Sequence, residues 1–314
     1  MGFWTAYRAS LKPAEIEEPV DRLVHRPLAY VVARACFPLP ISADHVTVGS
    51  ILVGVTGAGL MHAGFRGHQL VAAACIFLAT VLDCADGQLA RMRQKSSLFG
   101  RMLDGTADMF VTGSVGLGAV YFCALQGKQL IPDKPWMFWV MGALAVPALI
   151  TTTWHTYYFD HFKNVWMRCT NPAYKDAEDA VSARAAWEAA KDEPKPLYRA
   201  FAWRTYLFYV ETQQQLFTTF DPFTRPLGKL PAYSSENEAI YRKHALKPWT
   251  ALRRYYGVGS LMMGLTLTVA FDLYLPYLVF RGVVLNAYLF LFIRRWQREA
   301  SRKAFAEMEA LGQG

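Results

Sequence analysis

Charged side chains are scarce in this chain. Asp, Glu, Lys and Arg make up 18% of its 314 residues, whereas a typical soluble domain contains about 25%. Hydrophobic residues make up 53%, and they lie in blocks separated by basic, polar stretches. This division is typical of a protein that crosses a bilayer several times, and it argues against an ordinary soluble enzyme.

Cysteines are also few, and none of the five forms a CxxC pair. An odd number of cysteines without metal-binding spacing argues against a disulfide scaffold and against a zinc site. We therefore interpret the cysteines as small hydrophobic residues. The amino terminus has no secretory signal pattern, because Glu15, Glu17 and Glu18 stand where a basic start and a short apolar core would be needed.

The basic residues are not arranged as they are in nucleic-acid-binding proteins. The formal net charge is +8, but the cations form no single stripe with interleaved aromatic residues. They follow the ends of the apolar blocks instead, which fits a surface lying against anionic lipid on the cytoplasmic side. We therefore expect the lipid bilayer, and no nucleic acid, as a partner.

The apolar blocks predict six membrane helices. Most are close to the ~20 residues that are needed to cross ~30 Å of hydrocarbon, and the fifth is the shortest. Their approximate ranges are 46–65, 69–93, 98–125, 135–159, 256–271 and 274–293. The predicted fold class is therefore all-α, a polytopic bundle of six transmembrane helices.

A helix lying in the lipid interface is predicted before the first span. Between Pro19 and Cys36, apolar residues recur at helical spacing opposite Arg22, Arg26 and Arg34. That pattern suits an interfacial helix. Packing against a soluble partner is the alternative.

Four segments are predicted along the chain. Residues 1–45 hold the interfacial helix, and 46–159 hold helices one to four. Residues 160–250 form a cytoplasmic or interfacial insertion, and 251–314 hold helices five and six with a basic tail. The insertion contains an aromatic piece at 198–220, which is too short and polar to span and is expected to form an interfacial or capping helix.

The distribution of Lys and Arg predicts the orientation. Short loops carry most weight in this rule, and one short connection holds Arg91, Arg93, Lys95 and Arg101. Of the 33 basic residues, those predicted on the other side or inside the bilayer are Arg66, Lys128, Lys134 and Arg281. Both termini and the mouth of the site described next are therefore expected in the cytoplasm, as in a multi-pass protein of a bacterial-type inner membrane.

The most informative stretch runs from Asp83 to Asp108 and reads DCADGQLARMRQKSSLFGRMLDGTAD. At about 100° per residue, one face of helix two carries Asp83, Asp86, Gly87 and Ala90. A stripe on helix three at i, i+4 and i+8 carries Gly100, Asp104 and Asp108. Because a short turn joins these helices, their acidic faces are expected to meet near the cytoplasmic border.

Four carboxylates in one membrane-embedded pocket are costly. Each acid near the bilayer centre costs about 2.5 to 3.5 kcal/mol, and such acids are functional candidates. Oxygen-only ligands suit Mg²⁺ or Mn²⁺, and paired metals are the usual device for displacement at phosphorus. The small residues between the acids leave room for a diphosphate, while Arg91 can bind phosphate in a forked geometry. Ordinary ion pairs between the acids and Arg91, Arg93 and Arg101 are the structural alternative, which four acids on two converging faces disfavour.

The same stretch resembles the signature of the CDP-alcohol phosphotransferase family, D-x-x-D-G-x-x-A-R-x8-G-x3-D-x3-D, at each fixed position and spacing. At the entry to helix one, the family often has Pro-[Asn/Asp]-x-x-Thr. This chain has Ala43-Asp44-His45-Val46-Thr47, which lacks the proline but keeps Asp44 and Thr47 as nucleotide-site candidates. The resemblance covers about residues 20–160, and residues 160–250 have no counterpart in it.

The resemblance implies a role for each matching residue. Asp83, Asp86 and Asp104 are implied as ligands of two Mg²⁺ or Mn²⁺ ions, with Asp108 touching one ion and acting as the catalytic base. The positions implied to contact the CDP moiety are Gly87, Arg91 and Ser97, beside the small residues Ala90 and Gly100. The implied reaction is attack of an acceptor hydroxyl on the β-phosphorus of a CDP-linked donor, with release of CMP.

Several questions stay open at the level of sequence. The donor is either a CDP-linked head group passed to a lipid alcohol or a CDP-linked lipid passed to a polar alcohol, and a homodimer is left open. The alternative function is a divalent-cation channel or transporter with an intramembrane acidic site, which gives no reason for Gly87, Ala90 and Arg91. The polar residues with open roles in the spans are His155, Arg281 and Asn286.

Overall fold

A computed structural model describes residues 2–95, 98–172, 174, 180–190, 197–224, 230–231 and 233–311. Within these residues the secondary structure is helical, with no strand. Two compact units are found. Unit 1 is Met1–Thr153 with Val258–Val284, and unit 2 is Trp154–Gly257 with Leu285–Gly314.

The predicted long helices are confirmed in type, and several ends differ. The helices up to the insertion are α1 (Phe3–Ser10), α2 (Arg26–Cys36), α3 (Ala43–Leu60), α4 (His68–Met92), α5 (Leu98–Leu130) and α6 (Met137–Thr170). The last of these was predicted to end at 159. It continues because an apolar stripe at helical spacing, Phe162, Val165, Trp166 and Cys169, is buried.

The remaining helices are α7 (Ala180–Ala190), α8 (Leu197–Phe220), α9 (Ser235–Tyr255), α10 (Val258–Phe271), α11 (Tyr274–Val279), α12 (Asn286–Tyr288) and α13 (Arg294–Leu311). Widened π-type turns at Phe280–Leu285 and Leu289–Ile293 join the last three. The basic tail that was predicted after helix six is thus α13, whose buried stripe is Ala300, Ala304, Phe305 and Met308.

Among the residues that the structure describes, five helices are long and apolar enough to cross a membrane. They are Ala43–Leu60, His68–Met92, Met102–Leu130, Met137–Thr170 and Tyr274–Leu311. The predicted fifth span corresponds to α10, which has 14 residues and a length of about 21 Å at 1.5 Å per residue. The count of six spans therefore stays a prediction, and a multi-pass membrane protein is supported.

Helix α4 lies at the centre of unit 1, packed against α2, α3 and α10. One core joins Ile76 of α4 to Val111 of α5 and Leu265 of α10. A second core joins α4 to α2, through Ala85 and Leu89 against Ala29 and Ala33. These two cores fix α4, which carries half of the acidic motif, on several sides.

The segment that was predicted as an interfacial helix is helical over Asp21–Cys36, its place in a lipid interface stays a prediction, and its polar face is not wholly solvated. Leu23, Leu28 and Val31 are exposed, as a helix in a lipid interface requires. Arg26 was predicted on the polar face; in the structure it is only 6% exposed. It pairs with Glu17 at 3.0 Å and donates to the Cys84 carbonyl at 2.9 Å, so tertiary bonds override its helical position.

Unit 2 is built around aromatic stacking and a small buried polar network. Trp249 of α9 stacks on Phe159 and Trp166 of α6 at 5.6 and 5.7 Å between ring centroids. The buried Asp221 carboxylate accepts hydrogen bonds from Thr224 at 2.7 Å and from Ser301 of α13 at 2.6 Å. These contacts join residues of the insertion to α6 and to α13.

Candidate active site

Three of the predicted metal ligands meet in the structure. A carboxylate oxygen from each of Asp83, Asp86 and Asp104 lies within 4.8 Å of the others. Asp108 follows one turn later on α5 and is close enough for its charge to act on Asp83. Helices α4 and α5 thus bring the two halves of the motif together, as the spacing predicted.

The four acids differ in burial: the most buried lies on α4 and the most exposed lies on α5. Asp86 is buried, Asp83 and Asp108 are half-buried, and Asp104 is exposed. The Asp83 Oδ1 atom is buried and accepts no hydrogen bond from the described residues. A buried carboxylate oxygen without a donor is costly, and a hard divalent cation would satisfy it. The set therefore fits Mg²⁺ or Mn²⁺, which prefer oxygen ligands.

Helix α3 positions one of these acids. The Thr47 hydroxyl donates to Asp86 Oδ2 at 2.5 Å and is itself buried. Thr47 was predicted at the nucleotide site, and here it orients a carboxylate. Its neighbour Asp44 is half-buried in the first turn of α3.

At the start of α3, a side-chain cap takes the place of the proline that this chain lacks. Ser42 caps the helix, because its hydroxyl accepts from the His45 backbone N–H at 3.2 Å. The His45 Nδ1 atom accepts from the Ser42 N–H at 3.1 Å, which completes a reciprocal box. The turn that places Asp44 and Thr47 is thus set by a side-chain cap.

Gly87 lies on the acidic face of α4 beside the Arg91 side chain, with room for a Cβ at ordinary contact distance. A Cβ at this position would have the Arg91 guanidinium as its nearest neighbour, at 3.4 Å from Nη1. Ala90 and Gly100, the other small residues of the motif, are half-buried. Ser97, also predicted at the nucleotide, lies outside the described residues.

The basic residues near the motif bind backbone oxygens. Arg91 Nε donates to the Ser10 carbonyl at 2.6 Å, and its Nη2 is buried without a hydrogen-bond partner among the described residues. Arg93 Nη1 donates to the Ile41 carbonyl at 2.6 Å. The alternative in which Arg91 and Arg93 serve as ion-pair partners of the acids gains no support from these bonds.

The amino-terminal segment closes one side of the site, which sequence reasoning missed. Ser10 is buried, and its hydroxyl accepts from Gln88 of α4 at 3.1 Å. Burial by itself lowers the pKa of Arg26. Nearby negative groups, among them Glu17 and Asp83, raise it by more than burial lowers it, so the pKa lies above its ordinary value. The guanidinium therefore keeps its charge beside the acids. The signal available in the sequence was the unusual run of acidic residues before Arg26.

Two of the residues with open roles contact each other. His155 Nε2 lies 2.8 Å from Asn286 Oδ1, within unit 2. The His155 ring also packs edge-on against Tyr256 at 5.0 Å. Arg281 is buried in unit 1.

Comparison with known proteins shows that part of the chain is similar to one family. Residues 41–170 match the family model described as CDP-alcohol phosphatidyltransferase. The match contains Asp44, Thr47 and the whole motif from Asp83 to Asp108.

Three relatives are similar to parts of this chain. A bifunctional IPC transferase and DIPP synthase of Rubrobacter xylanophilus is 34% identical over 105 residues, which are 32% of this chain and 23% of that protein. Phosphatidylinositol phosphate synthase of Mycobacterium tuberculosis is 29% identical over 121 residues, 38% of this chain and 52% of the relative. The same enzyme of Mycobacteroides abscessus is 31% identical over 101 residues, 32% of this chain and 43% of the relative. The chain thus matches about half of these relatives' length or less.

Proposed function

We propose that this protein is an integral-membrane CDP-alcohol phosphotransferase of phospholipid biosynthesis. It transfers a substituted phosphate from a CDP-linked donor to a hydroxyl acceptor and releases CMP. The observation that carries this proposal is the meeting of Asp83, Asp86 and Asp104 within 4.8 Å, inside a domain whose family model covers residues 41–170.

In this proposal the acids divide the work between holding metal and moving a proton. Asp83, Asp86, Asp104 and Asp108 would hold two divalent cations, Mg²⁺ or Mn²⁺, which neutralise charge on the donor diphosphate and on the departing CMP. The Asp108 carboxylate also takes the proton from the acceptor hydroxyl. The acceptor oxygen then bonds to the β-phosphorus, and the bond from that phosphorus to the bridging oxygen breaks, so that the electron pair leaves with CMP.

The other motif residues would bind the nucleotide. The open face at Gly87 lets the diphosphate approach α4, with Ala90 and Gly100 beside it. The Arg91 guanidinium, which lies beside Gly87, would bind a phosphate oxygen. Asp44 lies at the start of α3, and Thr47 holds Asp86 for its metal.

We propose a CDP-linked lipid as the donor and a polar alcohol as the acceptor. The support is the product named in the mycobacterial relatives, phosphatidylinositol phosphate, which joins a lipid to a polar phosphorylated alcohol. Both termini and residues 160–250 are proposed to be cytoplasmic, from the basic short connection after α4. The homodimer that the sequence leaves open is tested by the mass of the protein in detergent.

A donor and acceptor panel tests the proposal. Purified protein with Mg²⁺ is given CDP-diacylglycerol with inositol phosphate, inositol or glycerol phosphate, and separately CDP-choline or CDP-ethanolamine with diacylglycerol. CMP release and a new lipid product are expected with CDP-diacylglycerol and a polar alcohol. Activity with the soluble donors alone would reverse the donor assignment. Metal-ion flux into vesicles without CMP release from any pair would favour the channel alternative.

A further inference from the structure

The amino-terminal helix α1 ends against the part of α4 that carries the motif. Its last residue, Ser10, is 1% exposed. The last carbonyl groups of a helix have no partner within the helix, and the Ser10 carbonyl accepts a hydrogen bond from Arg91 Nε at 2.6 Å. A cation at this end also meets the negative pole of the helix dipole. Arg91 is therefore the cap of α1.

A second bond fixes the same point. The Ser10 hydroxyl donates to the Tyr7 carbonyl at 2.7 Å, so its oxygen is left to accept, and it accepts from Gln88 Nε2 at 3.1 Å. Gln88 is 0% exposed and stands at a variable position of the motif, D-x-x-D-G-x-x-A-R. Ser10 precedes residue 41, where the family match begins. The pair is thus a feature of this chain and not of the signature.

The bond to Ser10 sets the direction of the Arg91 guanidinium. Nη1 lies 3.4 Å from the position that a Cβ on Gly87 would take, and Asp86 is near enough for its charge to act on Arg91. Nη2 is buried and has no hydrogen-bond partner among the described residues. A guanidinium carries its N–H donors in one rigid plane, so fixing Nε also fixes the Nη edge. Buried donors of this kind call for an acceptor, and a phosphate oxygen is a strong one.

The chain that follows Ser10 is held to α4 as well. The Lys12 N–H donates to Glu17 Oε1 at 3.3 Å, and Glu17 pairs with Arg26 at 3.0 Å. Arg26 Nη1 then donates to the Cys84 carbonyl at 2.9 Å. The segment therefore leaves α4 at one point and returns to it at another, which restricts the movement of Ser10.

Glu18 ties the same segment to α10. It is 4% exposed and accepts from the N–H groups of Gly259 and Ser260 at 2.9 and 2.8 Å. These N–H groups belong to the first turn of α10, where they lack partners within the helix and favour a negative charge. A Cβ on Gly259 would lie 2.0 Å from Asp21 Oδ1, so the helix and the segment are in close contact. The amino-terminal segment is thus fixed between α4 and α10.

We propose that Ser10 and Gln88 are positioning residues for the CDP-linked donor. Gln88 holds Ser10, the Ser10 carbonyl holds Arg91 Nε, and the Nη edge is thereby presented to a phosphate oxygen. This role rests on the proposed function, in which Arg91 binds that phosphate. Without the contact to Ser10, the guanidinium has to be ordered when the donor binds, and the affinity falls by the cost of that ordering.

CDP binding to the full-length protein in detergent with Mg²⁺ tests this role by calorimetry. Gln88→Met removes the amide at similar volume and is expected to raise the CDP Kd about 10-fold, the equivalent of one hydrogen bond to a charged group. A Gln88→Met protein with the wild-type Kd overturns the proposal.

Gln126→Met is the matched control. The Gln126 amide donates to the Asp272 carbonyl at 2.8 Å and accepts from the Leu275 N–H at 3.1 Å, about 27 Å farther along α5 than Asp108. This variant is expected to melt lower than the wild type and to keep its CDP Kd. If the Kd rises equally in both glutamine variants, general destabilisation explains the effect and the proposal fails.

A double-mutant cycle connects the effect to Arg91. Arg91→Lys keeps the charge but has no planar set of donors to orient. In the Arg91→Lys protein, Gln88→Met is therefore expected to leave the CDP Kd unchanged, because residues that act through one contact are not additive. A further loss of about 10-fold in this background would mean that Gln88 acts on the nucleotide by another route, which contradicts the assignment.

Ser10→Ala covers the case in which Gln88→Met does not fold. It deletes the hydroxyl that accepts from Gln88 and is expected to raise the CDP Kd in the same way. The two possible failures are distinguishable. Absence of CDP binding by the wild-type protein refutes the proposed function and this role with it. Wild-type binding that neither Gln88→Met nor Ser10→Ala weakens refutes this role alone.

Discussion

Gly87 offers a way to separate ligand access from helix packing. A Cβ at position 87 would have atoms of Arg91 as its three nearest neighbours, at 3.4 Å or more, which is ordinary contact. Gly54 on α3 is a matched control in a helix of the same unit. A Cβ there would lie 2.6 Å from Val111 Cγ1 and 3.2 Å from Ala79 Cβ, so this glycine is needed for packing.

The two positions therefore differ in the expected sign of their effect on stability. Alanine in place of a helical glycine gains about 0.5–1 kcal/mol through the unfolded chain and the helix. Gly87→Ala should keep that gain, because it introduces no clash. Gly54→Ala should lose more than it gains, since overpacking a core costs about 1–3 kcal/mol.

Leucine at the same positions tests nucleotide binding by thermal unfolding with and without CDP and Mg²⁺. A ligand at 100 times its Kd stabilises the wild-type protein by about 2.7 kcal/mol. Gly87→Leu is expected to melt close to the wild type without CDP and to gain nothing from CDP. Gly54→Leu is expected to melt lower and still respond to CDP. If Gly87→Leu melts lower than the wild type but its melting temperature still rises with CDP, Gly87 serves helix packing and not nucleotide access.

Four further predictions address the base, the metal, the topology and the insertion. Asp108→Asn should lower CMP release by about 10²- to 10⁴-fold, the usual contribution of a general base, while keeping the thermal response to CDP; wild-type turnover would remove Asp108 from the reaction. Thr47→Val deletes the 2.5 Å bond to Asp86 and should raise the Mg²⁺ concentration for half-maximal activity about 10- to 100-fold, whereas a rise in the donor KM alone would return Thr47 to the nucleotide. An engineered cysteine near Lys191 should react with an impermeant reagent only from the cytoplasmic side of oriented vesicles, and labelling from outside would reverse the orientation. Burial raises the pKa of Asp221, so its stabilising contribution is complete below about pH 4 and is lost as pH rises through its folded pKa; Asp221→Asn should therefore flatten the melting temperature against pH, and an unchanged slope would contradict this.

The sequence predicted the features that depend on local pattern. Helical periodicity and apolar length placed both ends of α4 and the start of α5 closely, whereas α3 was predicted at 46–65 and runs over Ala43–Leu60, and α5 was predicted to end at 125 and ends at Leu130. The spacing within the motif brought Asp83, Asp86 and Asp104 to facing helices, and the structure gathers them. These predictions succeed because a period of 3.6 residues fixes which side chains share a face.

Features that depend on contacts between distant parts of the chain could not be predicted from the sequence. Helical position alone put Arg26 on a solvated face, but its bonds to Glu17 and to the Cys84 carbonyl bury it. The pairing of α9 with α13 was missed because the insertion and the tail are far apart in sequence. Neither contact produces a local periodicity or a motif in the sequence, because each depends on which distant segments pack together.

In the proposed reaction, divalent cations held by the carboxylates are needed to release CMP from a CDP-linked donor. The most direct measurement is CMP formation from CDP-diacylglycerol and a polar alcohol by the purified protein in Mg²⁺, in excess EDTA, and after Mg²⁺ is restored. We expect CMP formation to stop in the chelator and to return with Mg²⁺ or Mn²⁺, because oxygen ligands hold these cations. Undiminished CMP formation in excess chelator would contradict it.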